Sequence, residues 1–305
     1  MKRTAWTLLL LALMAGAARA QTIHSPAFAP LSGGARAYAL SGALVALDND
    51  ASAAFVNPAR LAFVRGRSLT LGYARLVEDI PSDRGEVAYS QPLGDSIAAP
   101  FQREAVYRTA LALAAEYQRL ELAQGSAYGE VTGTLAAALA PGNILAFGMA
   151  VRGLSMSSQA VDGLDGSGVA LDLGFTMALH PNIEFAVVSH NLTGHVHYGD
   201  RPSETPGRSV QFALAFARNR WVQAEADFIA DYNDAKSAAL GVEILPEGIL
   251  TLRAGIKQWI DPESRSVPSA GVGFRRNGFF FDYAARFDSQ EALGLQHRFS
   301  LGLRR

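Results

Sequence analysis

The chain of 305 residues contains no cysteine. This absence excludes structural disulfides, metal sites built on thiolates and the lipid-bearing cysteine of a lipoprotein. Any attachment to a membrane must therefore come from the fold itself.

Long apolar runs are also missing once the N-terminus is passed. After residue 20 no stretch approaches the ~18 consecutive apolar residues that predict a membrane-spanning helix. A spanning β-strand needs only about 9–11 residues, so any membrane crossing by this chain would use strands. Aromatic residues make up only 9% of the chain, which leaves the signal for interfacial aromatic girdles weak.

The sequence has no large excess of charge of one sign. Its 27 basic and 28 acidic side chains give a formal net charge of −1. A nucleic-acid-binding domain usually has a basic patch and a high isoelectric point, which this balance does not indicate. We expect no nucleic-acid partner.

The N-terminus has the three parts of a secretory signal. Lys2 and Arg3 precede a mostly apolar run from Ala5 to Ala18, and Ala18-Arg19-Ala20 forms an A-x-A cleavage site before Gln21. The apolar run has roughly 14 residues, too few for a membrane anchor. We predict that residues 1–20 are a cleaved signal peptide, so that the protein is exported.

Apolar residues alternate with small or charged ones from about Ser68 onward. Residues 169–177 show the pattern, with Val169, Leu171 and Phe175 on one face and Asp172 on the other. Alternation with period two predicts β-strands that are apolar on one face. The fourteen candidate strands are 67–76, 84–91, 110–121, 130–140, 144–154, 168–178, 183–189, 208–217, 221–230, 236–244, 249–259, 269–275, 278–287 and 292–303.

The connections distinguish a membrane barrel from a soluble β-sandwich, which also alternates. From the fourth strand onward every second connection is short and rich in turn residues, as in Pro141-Gly142-Asn143 and Arg276-Asn277. The intervening connections, Ser155 to Ser167, His190 to Gly207 and Ile260 to Pro268, are longer and more polar. Outer-membrane barrels have short turns on the periplasmic side and longer loops outside. We therefore predict an all-β fold, a transmembrane antiparallel β-barrel of about 14 strands over residues 67–305, in the outer membrane, with the tight turns and both termini periplasmic.

Residues 21–66 do not form part of the predicted barrel wall. Within them, residues 33–62 are mostly small and uncharged, Asp48 and Asp50 suit a turn or a helix cap, and Asn57-Pro58 suits a stop. A segment of this composition fits inside a barrel as a hatch, or plug. The alternative is a periplasmic segment outside the lumen.

This block resembles the N-terminal signature of the PorV/PorQ family. The resemblance lies in Gly34-Ala35-Arg36-Ala37, Ser41-Gly42-Ala43, Asp50-Ala51-Ser52-Ala53 and Asn57-Pro58-Ala59-Arg60-Leu61. The ending His297-Arg298-Phe299-Ser300-Leu301-Gly302-Leu303 is similar to the closing strand of that family. The resemblance implies a FadL-like barrel of 14 strands with an N-terminal hatch in the lumen. It singles out Arg36, Asp48, Asp50, Asn57 and Pro58 as hatch residues.

Several charged residues share the parity of the lumen in the predicted strands. Such residues line a polar path, bind a ligand, or pair with one another and with the hatch. We favour pairing. The lumen-facing candidates are Asp172, Glu225, Asp227, Glu243, Arg253 and Lys257.

No catalytic or metal site is predicted, and no cofactor. His190, His195 and His197 lie close together, but no carboxylate cluster completes a metal site, and we interpret them as surface histidines of a polar loop. His297 and Ser300 are three residues apart on a strand and point to opposite faces, which argues against a hydrolase. Asp48 and Asp50 suit a capped turn better than a calcium site.

Three functions remain open at this point. The resemblance implies a type IX secretion protein that binds cargo proteins or subunits of the attachment complex at the outer membrane. The same plan of barrel and hatch suits a FadL-like channel for hydrophobic small molecules. The third hypothesis is a structural barrel that anchors a surface complex. The predicted partners are outer-membrane lipid with, in addition, secreted cargo, secretion subunits or a hydrophobic ligand.

Overall fold

The computed structural model describes residues 24–25, 28, 33–76, 82–94, 107–121, 126–159, 165–199, 201–217, 221–231, 235–244, 249–260, 265–288 and 295–305. The predicted signal peptide, residues 1–20, lies outside the described residues. No helix in these ranges is long and apolar enough to cross a membrane.

Sixteen strands, two short α-helices and one 3-10 helix make up the described part of the chain. The helices are α1 (Gly34–Ala39), α2 (Ala53–Val56) and the 3-10 helix Pro58–Phe63. The strands are β1 (His24–Ser25), β2 (Ser68–Leu76), β3 (Ser82–Gly94), β4 (Tyr107–Glu121), β5 (Ala127–Pro141), β6 (Leu145–Ser158), β7 (Gly166–His180), β8 (Ile183–Tyr198), β9 (Arg201–Pro206), β10 (Ser209–Ala217), β11 (Val222–Asp231), β12 (Lys236–Ile244), β13 (Leu250–Trp259), β14 (Ser266–Arg276), β15 (Phe279–Phe287) and β16 (Leu295–Arg304).

Fourteen of these strands form a closed antiparallel barrel, as the sequence predicts. Strands β2 to β8 and β10 to β16 pair with their neighbours in chain order, and β16 pairs back onto β2 with Leu301 opposite Leu71. Closure leaves the barrel sheet without an open edge. Beyond the wall, β9 pairs with the end of β8, and β1 pairs with β9 in parallel.

The predicted alternation becomes an outer and an inner face of the barrel. On β6, Phe147, Met149 and Val151 are exposed, whereas Ala146 and Ala150 are buried in the lumen. A contiguous exposed apolar surface of this kind marks a region that contacts lipid or another protein. The exposed apolar side chains include Leu69, Leu71, Leu111, Leu113, Leu135, Leu214, Phe228, Leu240, Leu252, Val272, Phe281, Phe299 and Leu301.

The barrel ends differ in their connections, and we call them the turn end and the loop end. At the turn end, Asn277-Gly278 joins β14 to β15 with positive φ at both residues, which is the geometry of a tight hairpin. Arg67, just before β2, and Arg305 exchange two backbone hydrogen bonds there, so the hatch connection and the C-terminal residue lie side by side.

The predicted long loops are shorter than expected, because the strands continue further. His190 to Gly207 was predicted as a loop, but β8 extends to Tyr198 and β9 follows it. Likewise β6 reaches Ser158, β7 begins at Gly166 and β14 begins at Ser266. The extensions have polar or small residues on their outer faces, so apolar alternation did not reveal them. Between the predicted strands 84–91 and 110–121, β3 continues to Gly94 and β4 begins at Tyr107, and residues 95–106 lie outside the described residues.

Residues 33–64 lie inside the barrel, as the hatch interpretation predicts. Nearly all of them are buried, and α1 packs against β13 to β16 while the 3-10 helix packs against β4 to β7. The wall has glycine where hatch backbone touches it. A Cβ on Gly148 would lie 2.1 Å from Ala59 N, and one on Gly255 would lie 2.4 Å from the carbonyl carbon of Leu40. Larger side chains at these two positions would collide with the hatch.

Candidate luminal site

The first contact between the hatch and the wall is an ion pair in the lumen. Arg36 on α1 is buried, and its Nε and Nη2 donate to the two carboxylate oxygens of Glu243 on β12, each at 3.0 Å. Glu243 also accepts from Arg253 on β13, whose Nη1 donates to Asp282 at 2.6 Å. Opposite charges thus alternate from the hatch across β12, β13 and β15. Removing one member leaves an uncompensated buried charge, at a cost of about 3–5 kcal/mol.

Tyr38 makes a second contact of α1 with the wall. Its ring lies beneath the guanidinium groups of Arg286 and Arg298, at 4.5 and 5.5 Å from the ring centroid. Its hydroxyl donates to Gln296, and Arg298 donates to Glu86 on β3 at 2.7 Å. The ring therefore lies among the polar side chains of β3, β15 and β16.

Two carboxylates on β11 make a third contact with the hatch. Glu225 accepts from the backbone N–H of Ala46 at 2.9 Å. Asp227 accepts from Gln211 at 2.6 Å, and the same Gln211 amide donates to the carbonyl of Gly42 at 3.2 Å. Both carboxylates are buried, and neither has an ion pair within the described residues. Glu225 thus contacts hatch backbone directly and Asp227 does so through Gln211, whereas Glu243 contacts a hatch side chain.

The predicted hatch residues Asp48 and Asp50 organise the turn before α2. Asp48 accepts from Asn49 N at 2.7 Å and from Ser52 Oγ at 2.9 Å, while Asp50 accepts from Ser52 N at 2.8 Å. These hydrogen bonds stabilise the turn, whereas the expected helix cap is not formed, because Ser52 at the N-cap of α2 makes no side-chain cap hydrogen bond. Burial, followed by repulsion from Asp50, raises the pKa of Asp48 to about 7 against the attraction of Arg36. Within the described residues, no group of three or more His, Asp or Glu is arranged to hold a metal ion.

Asn57 and Pro58 start the 3-10 helix. Asn57 Oδ1 accepts from Ala59 N at 3.0 Å, and its Nδ2 donates to the carbonyl of Val45 at 2.9 Å. Pro58 is the first helical residue, where its missing N–H is not needed. The residues that carry the family resemblance therefore serve the internal structure of the hatch and its contact with the wall.

A second polar cluster lies where β8 bulges. Two extra residues of β8 stand across from Asp172, because Leu171 pairs with Thr193 while Leu173 pairs with Ser189. Asn191 lies in this bulge with a φ of 49° and donates its N–H to Asp172 at 2.7 Å. The same Asp172 contacts His190 Nδ1 at 3.1 Å. The bulge is held by side chains that face the lumen.

Arg152 joins this cluster to the neighbouring strands. It donates to Asn191 Oδ1 at 3.0 Å and to Glu116 at 3.2 Å, and all three side chains are buried. Glu116 and Arg152 were missed among the predicted lumen residues. Their parity among inward alanines, such as Ala114 and Ala150, was the available signal, because a charged residue in such a row must face the lumen.

An apolar pocket lies above this cluster at the loop end, and Phe28 occupies it. Phe28 is only 2% exposed. Its N–H donates to Glu130 at 3.1 Å, and its carbonyl accepts from the amide of Asn191 at 3.4 Å. The residues packed around it are Leu154, Met156, Ala170, Val196, Tyr198 and Tyr128. The pocket is thus a luminal site of aromatic size, filled by a side chain of the N-terminal segment.

The six predicted lumen residues share the inner side of the wall. Asp172, Glu225, Asp227, Glu243 and Arg253 are each at most 4% exposed. Lys257 is half-buried near the loop end, with its ammonium 4.7 Å from the ring centroid of Trp259. They do not converge on one site, because Asp172 belongs to the cluster at the bulge and the others lie on β11 to β13.

The interpretation of the histidines needs correction. His190 is buried against Asp172, whereas it was predicted to lie on a surface loop. His195 and His197 are exposed, but they lie on β8, with ring centroids 4.9 Å apart. The polar pair His190-Asn191 interrupts the apolar alternation, because the bulge turns both side chains inward. His297 and Ser300 face opposite sides, with His297 against Tyr283 and Ser300 accepting from Ala35 N.

Comparison with solved structures finds the same fold among proteins that include a hydrocarbon channel and a toluene transporter. The chain is similar to the CymD monoaromatic hydrocarbon channel, with a TM-score of 0.69 at 13% identity over 92% of this chain and 99% of that one. It is similar to the toluene transporter TodX of Pseudomonas putida, with a TM-score of 0.65 at 17% identity over 89% and 96%. A FadL homologue of Pseudomonas aeruginosa gives 0.59 at 12% identity over 89% and 98%. No protein-family model and no curated protein sequence matches the chain.

Proposed function

We propose that this protein is an outer-membrane channel for hydrophobic small molecules, gated by its N-terminal hatch. The observation that carries the proposal is the luminal pocket at the loop end that the Phe28 ring fills, where apolar side chains pack around the ring and Glu116, Glu130 and Arg152 lie beside it. The fold likeness to two channels whose names specify monoaromatic hydrocarbons and toluene supports the same ligand class. Of the hypotheses open from the sequence, this one has the better support.

The proposed pathway follows from the occupied lumen. A hydrophobic molecule enters from the loop end and replaces the Phe28 ring among Leu154, Met156 and Val196. Movement of the N-terminal segment then loosens the hatch below it. Apolar sites with few polar groups take such ligands because burial removes apolar surface from water.

We also propose the orientation that the unequal connections predict. The turn end and the C-terminal residue face the periplasm, and the loop end faces the exterior. The exposed apolar side chains of the wall then contact outer-membrane lipid. No step of this function requires a cofactor or a catalytic residue.

Uptake by cells tests the channel. A host without such a channel would express the wild-type chain, an empty vector, or Phe28→Ala, and uptake of labelled toluene would be measured. We expect uptake above the vector with the wild type, and a further increase with Phe28→Ala because the ring no longer fills the pocket. Phe216→Ala, which removes an exposed ring from the outer wall, is the matched control and should behave as the wild type. Equal uptake by the wild type and the vector would refute the proposal.

Type IX secretion is the second candidate, because of the residues that resemble the PorV/PorQ signature. Those residues stabilise the hatch. They therefore support a hatch like that of the PorV/PorQ family more than they support the binding of the same cargo proteins. Deleting the gene and measuring surface display of cargo with the C-terminal sorting domain tests this candidate. Loss of display would favour it over the channel, and unchanged display would remove it.

A further inference from the structure

A second cavity lies at the opposite end of the lumen, between the hatch and the turn-end mouth. Its volume is about 550 Å³, within the range of small-molecule sites. We call it the vestibule. The residues lining it are Asn49, Arg60, Phe63, Arg65, Arg108, Asn143, Ile144, Thr176, Ala178, Glu184 and Arg304.

The vestibule is unbalanced in charge. Four arginines line it against one carboxylate, Glu184, and that carboxylate pairs with Arg60. In the ranges that the structure describes, the side chains of Arg65 and Arg108 have no hydrogen bond or ion pair, and the side chain of Arg304 makes one hydrogen bond, to the carbonyl of Asn49 at 3.3 Å. Three arginines therefore line one cavity whose single lining carboxylate, Glu184, is already paired with Arg60.

Repulsion among the arginines raises the free energy of the empty vestibule, and a bound anion lowers it. Like charges around a shared cavity repel, and walls of low dielectric strengthen the field inside it. Guanidinium groups match carboxylate and phosphate oxygens with charge-assisted hydrogen bonds. The positive charges come from four separate segments, which are the hatch, its connection to β2, the start of β4 and the end of β16. They are brought together only by barrel closure around the hatch.

The vestibule also has an apolar part. Phe63 and Ile144 line it beside the arginines, and Ile144 is 62% exposed. The guanidinium of Arg60 lies 5.0 Å from the Phe63 ring centroid, so charge and apolar surface adjoin. A bare inorganic ion would leave this apolar surface uncovered, whereas a molecule with a short apolar tail would cover it.

We propose that the vestibule binds the carboxylate or phosphate head of an anionic amphipath, with the head at Arg65, Arg108 and Arg304 and the tail at Phe63 and Ile144. The site is distinct from the Phe28 pocket and lies at the other side of the hatch. It does not rest on the proposed channel activity, since binding is measured without transport. Two sources supply this chemistry, a free carboxylate and the headgroup of an anionic phospholipid.

Binding to the purified full chain tests the proposal. The protein would be placed in phosphatidylcholine nanodiscs, and octanoate, octanol and inorganic phosphate would be titrated by calorimetry. We expect octanoate to bind at least about tenfold more tightly than octanol, because it adds charge-assisted hydrogen bonds to the same apolar contact. We expect phosphate to bind more weakly than octanoate.

Variants locate the site. Arg108→Gln should weaken octanoate binding by about tenfold or more, and Arg65→Gln, in the exposed connection, should also weaken it. Arg119→Gln is the matched control, because Arg119 is an exposed arginine at the loop end of the same strand β4. Folding of each variant is verified by its heat-modifiable mobility in gels.

Nanodiscs that contain phosphatidylglycerol distinguish the two sources. Weaker octanoate binding in these discs, relative to phosphatidylcholine discs, would identify the lipid headgroup as a competitor for the site. Unchanged binding would identify the free anion. The proposal is overturned if octanoate binds no better than octanol, if Arg108→Gln binds like the wild type, or if Arg119→Gln is impaired as much as Arg108→Gln.

Discussion

At the scale of single residues, Glu243 joins two parts of the chain. It accepts from Arg36 of the hatch and from Arg253 of the wall, and all three are buried. A neutral side chain at this position leaves two guanidinium groups in the lumen without their shared carboxylate. The hatch, which can move away, is expected to respond before the barrel does.

We therefore predict that Glu243→Gln loosens the hatch and leaves the barrel closed. The expected cost to hatch docking is about 3–5 kcal/mol, because a buried ion pair loses one partner. Amide hydrogen exchange of residues 34–63 should become faster, while the barrel strands keep their protection. Glu121→Gln, at an exposed position on β4, is the control and should exchange like the wild type. Unchanged protection of residues 34–63 in Glu243→Gln would show that this ion pair does not hold the hatch.

Asp48 gives hatch docking a dependence on pH. Its pKa is raised from 3.8 to about 7 by burial and by Asp50. The docked hatch therefore binds a proton that the undocked hatch releases, so docking is strongest below pH about 4 and weakens as the pH rises to about 7. Hatch exchange, corrected for the intrinsic pH dependence of amide exchange, should be slower at pH 5.5 than at pH 8.

Asp48→Asn tests the assignment of this pH dependence. The amide does not titrate, so the difference between pH 5.5 and pH 8 should shrink markedly. An Asp48→Asn protein that keeps the full difference would assign the titration to another group. Asp165→Asn is a suitable control, since Asp165 is an exposed residue at the loop end.

At the scale of secondary structure, the wall strands have glycine where the hatch backbone packs directly against them. Gly148 on β6 faces Pro58 and Ala59, and its Cβ position lies 2.1 Å from Ala59 N and 2.2 Å from the carbonyl carbon of Pro58. Both neighbours are backbone atoms, so relief requires the hatch to shift. Gly133 on β5 has nothing within 4 Å of its Cβ position. These two glycines form a matched pair.

Gly148→Ala should displace the hatch, and Gly133→Ala should not. Overpacking costs about 1–3 kcal/mol, and more where backbone must move. Limited proteolysis should cut within residues 34–63 of Gly148→Ala, while heat-modifiable mobility shows an intact barrel in both variants. A hatch that resists proteolysis equally in the two variants would contradict the close approach of the 3-10 helix to β6.

Strand number and closure were predictable because alternation repeats in every strand of the wall. Each of the fourteen predicted strands overlaps an observed one, since the apolar residues of each strand alternate onto its outward-facing side. The C-terminal extension of β8 was not predictable in this way, because His190 and Asn191 both face the lumen at a bulge that depends on Asp172 of the neighbouring strand. Because the register shift depends on two paired strands, the sequence of β8 alone does not predict it.

The candidate site was only partly predictable for a related reason. The parity of Glu243 and Arg253 follows from their own strands, so their inward direction was predicted. Arg36, the hatch partner of Glu243, is more than 200 residues away along the chain, and the pairing depends on where α1 docks. Phe28 gave no local signal, because only the assembled wall creates the pocket around it.

At the scale of the whole molecule, the residues that fold and dock the hatch differ from the residues that line the two luminal sites. The residues that resemble the PorV/PorQ signature explain how the hatch folds and docks, which any barrel with this hatch requires. The two luminal sites indicate the function better than the hatch residues do. The Phe28 pocket lies at the loop end, and the arginine-lined vestibule lies at the turn end. A hydrophobic molecule that enters at the loop end must pass the hatch before it reaches the vestibule.

Locking the hatch to the wall tests this central claim most directly. The chain has no cysteine, so Ala43→Cys with Gly241→Cys introduces a single pair. The Cβ position of Gly241 lies 3.2 Å from Ala43 Cβ, close to the roughly 3.5–4.5 Å of a disulfide. Labelled toluene uptake would be measured in cells expressing the double variant, oxidised and then reduced, beside each single variant. The account predicts uptake near background when the pair is oxidised. On reduction, uptake should recover to that of the Gly241→Cys single variant, whose own Cβ presses on Leu40 at 2.9 Å, while Ala43→Cys alone should behave as the wild type. Equal uptake by the oxidised and reduced double variant, with the disulfide verified, would contradict passage gated by the hatch.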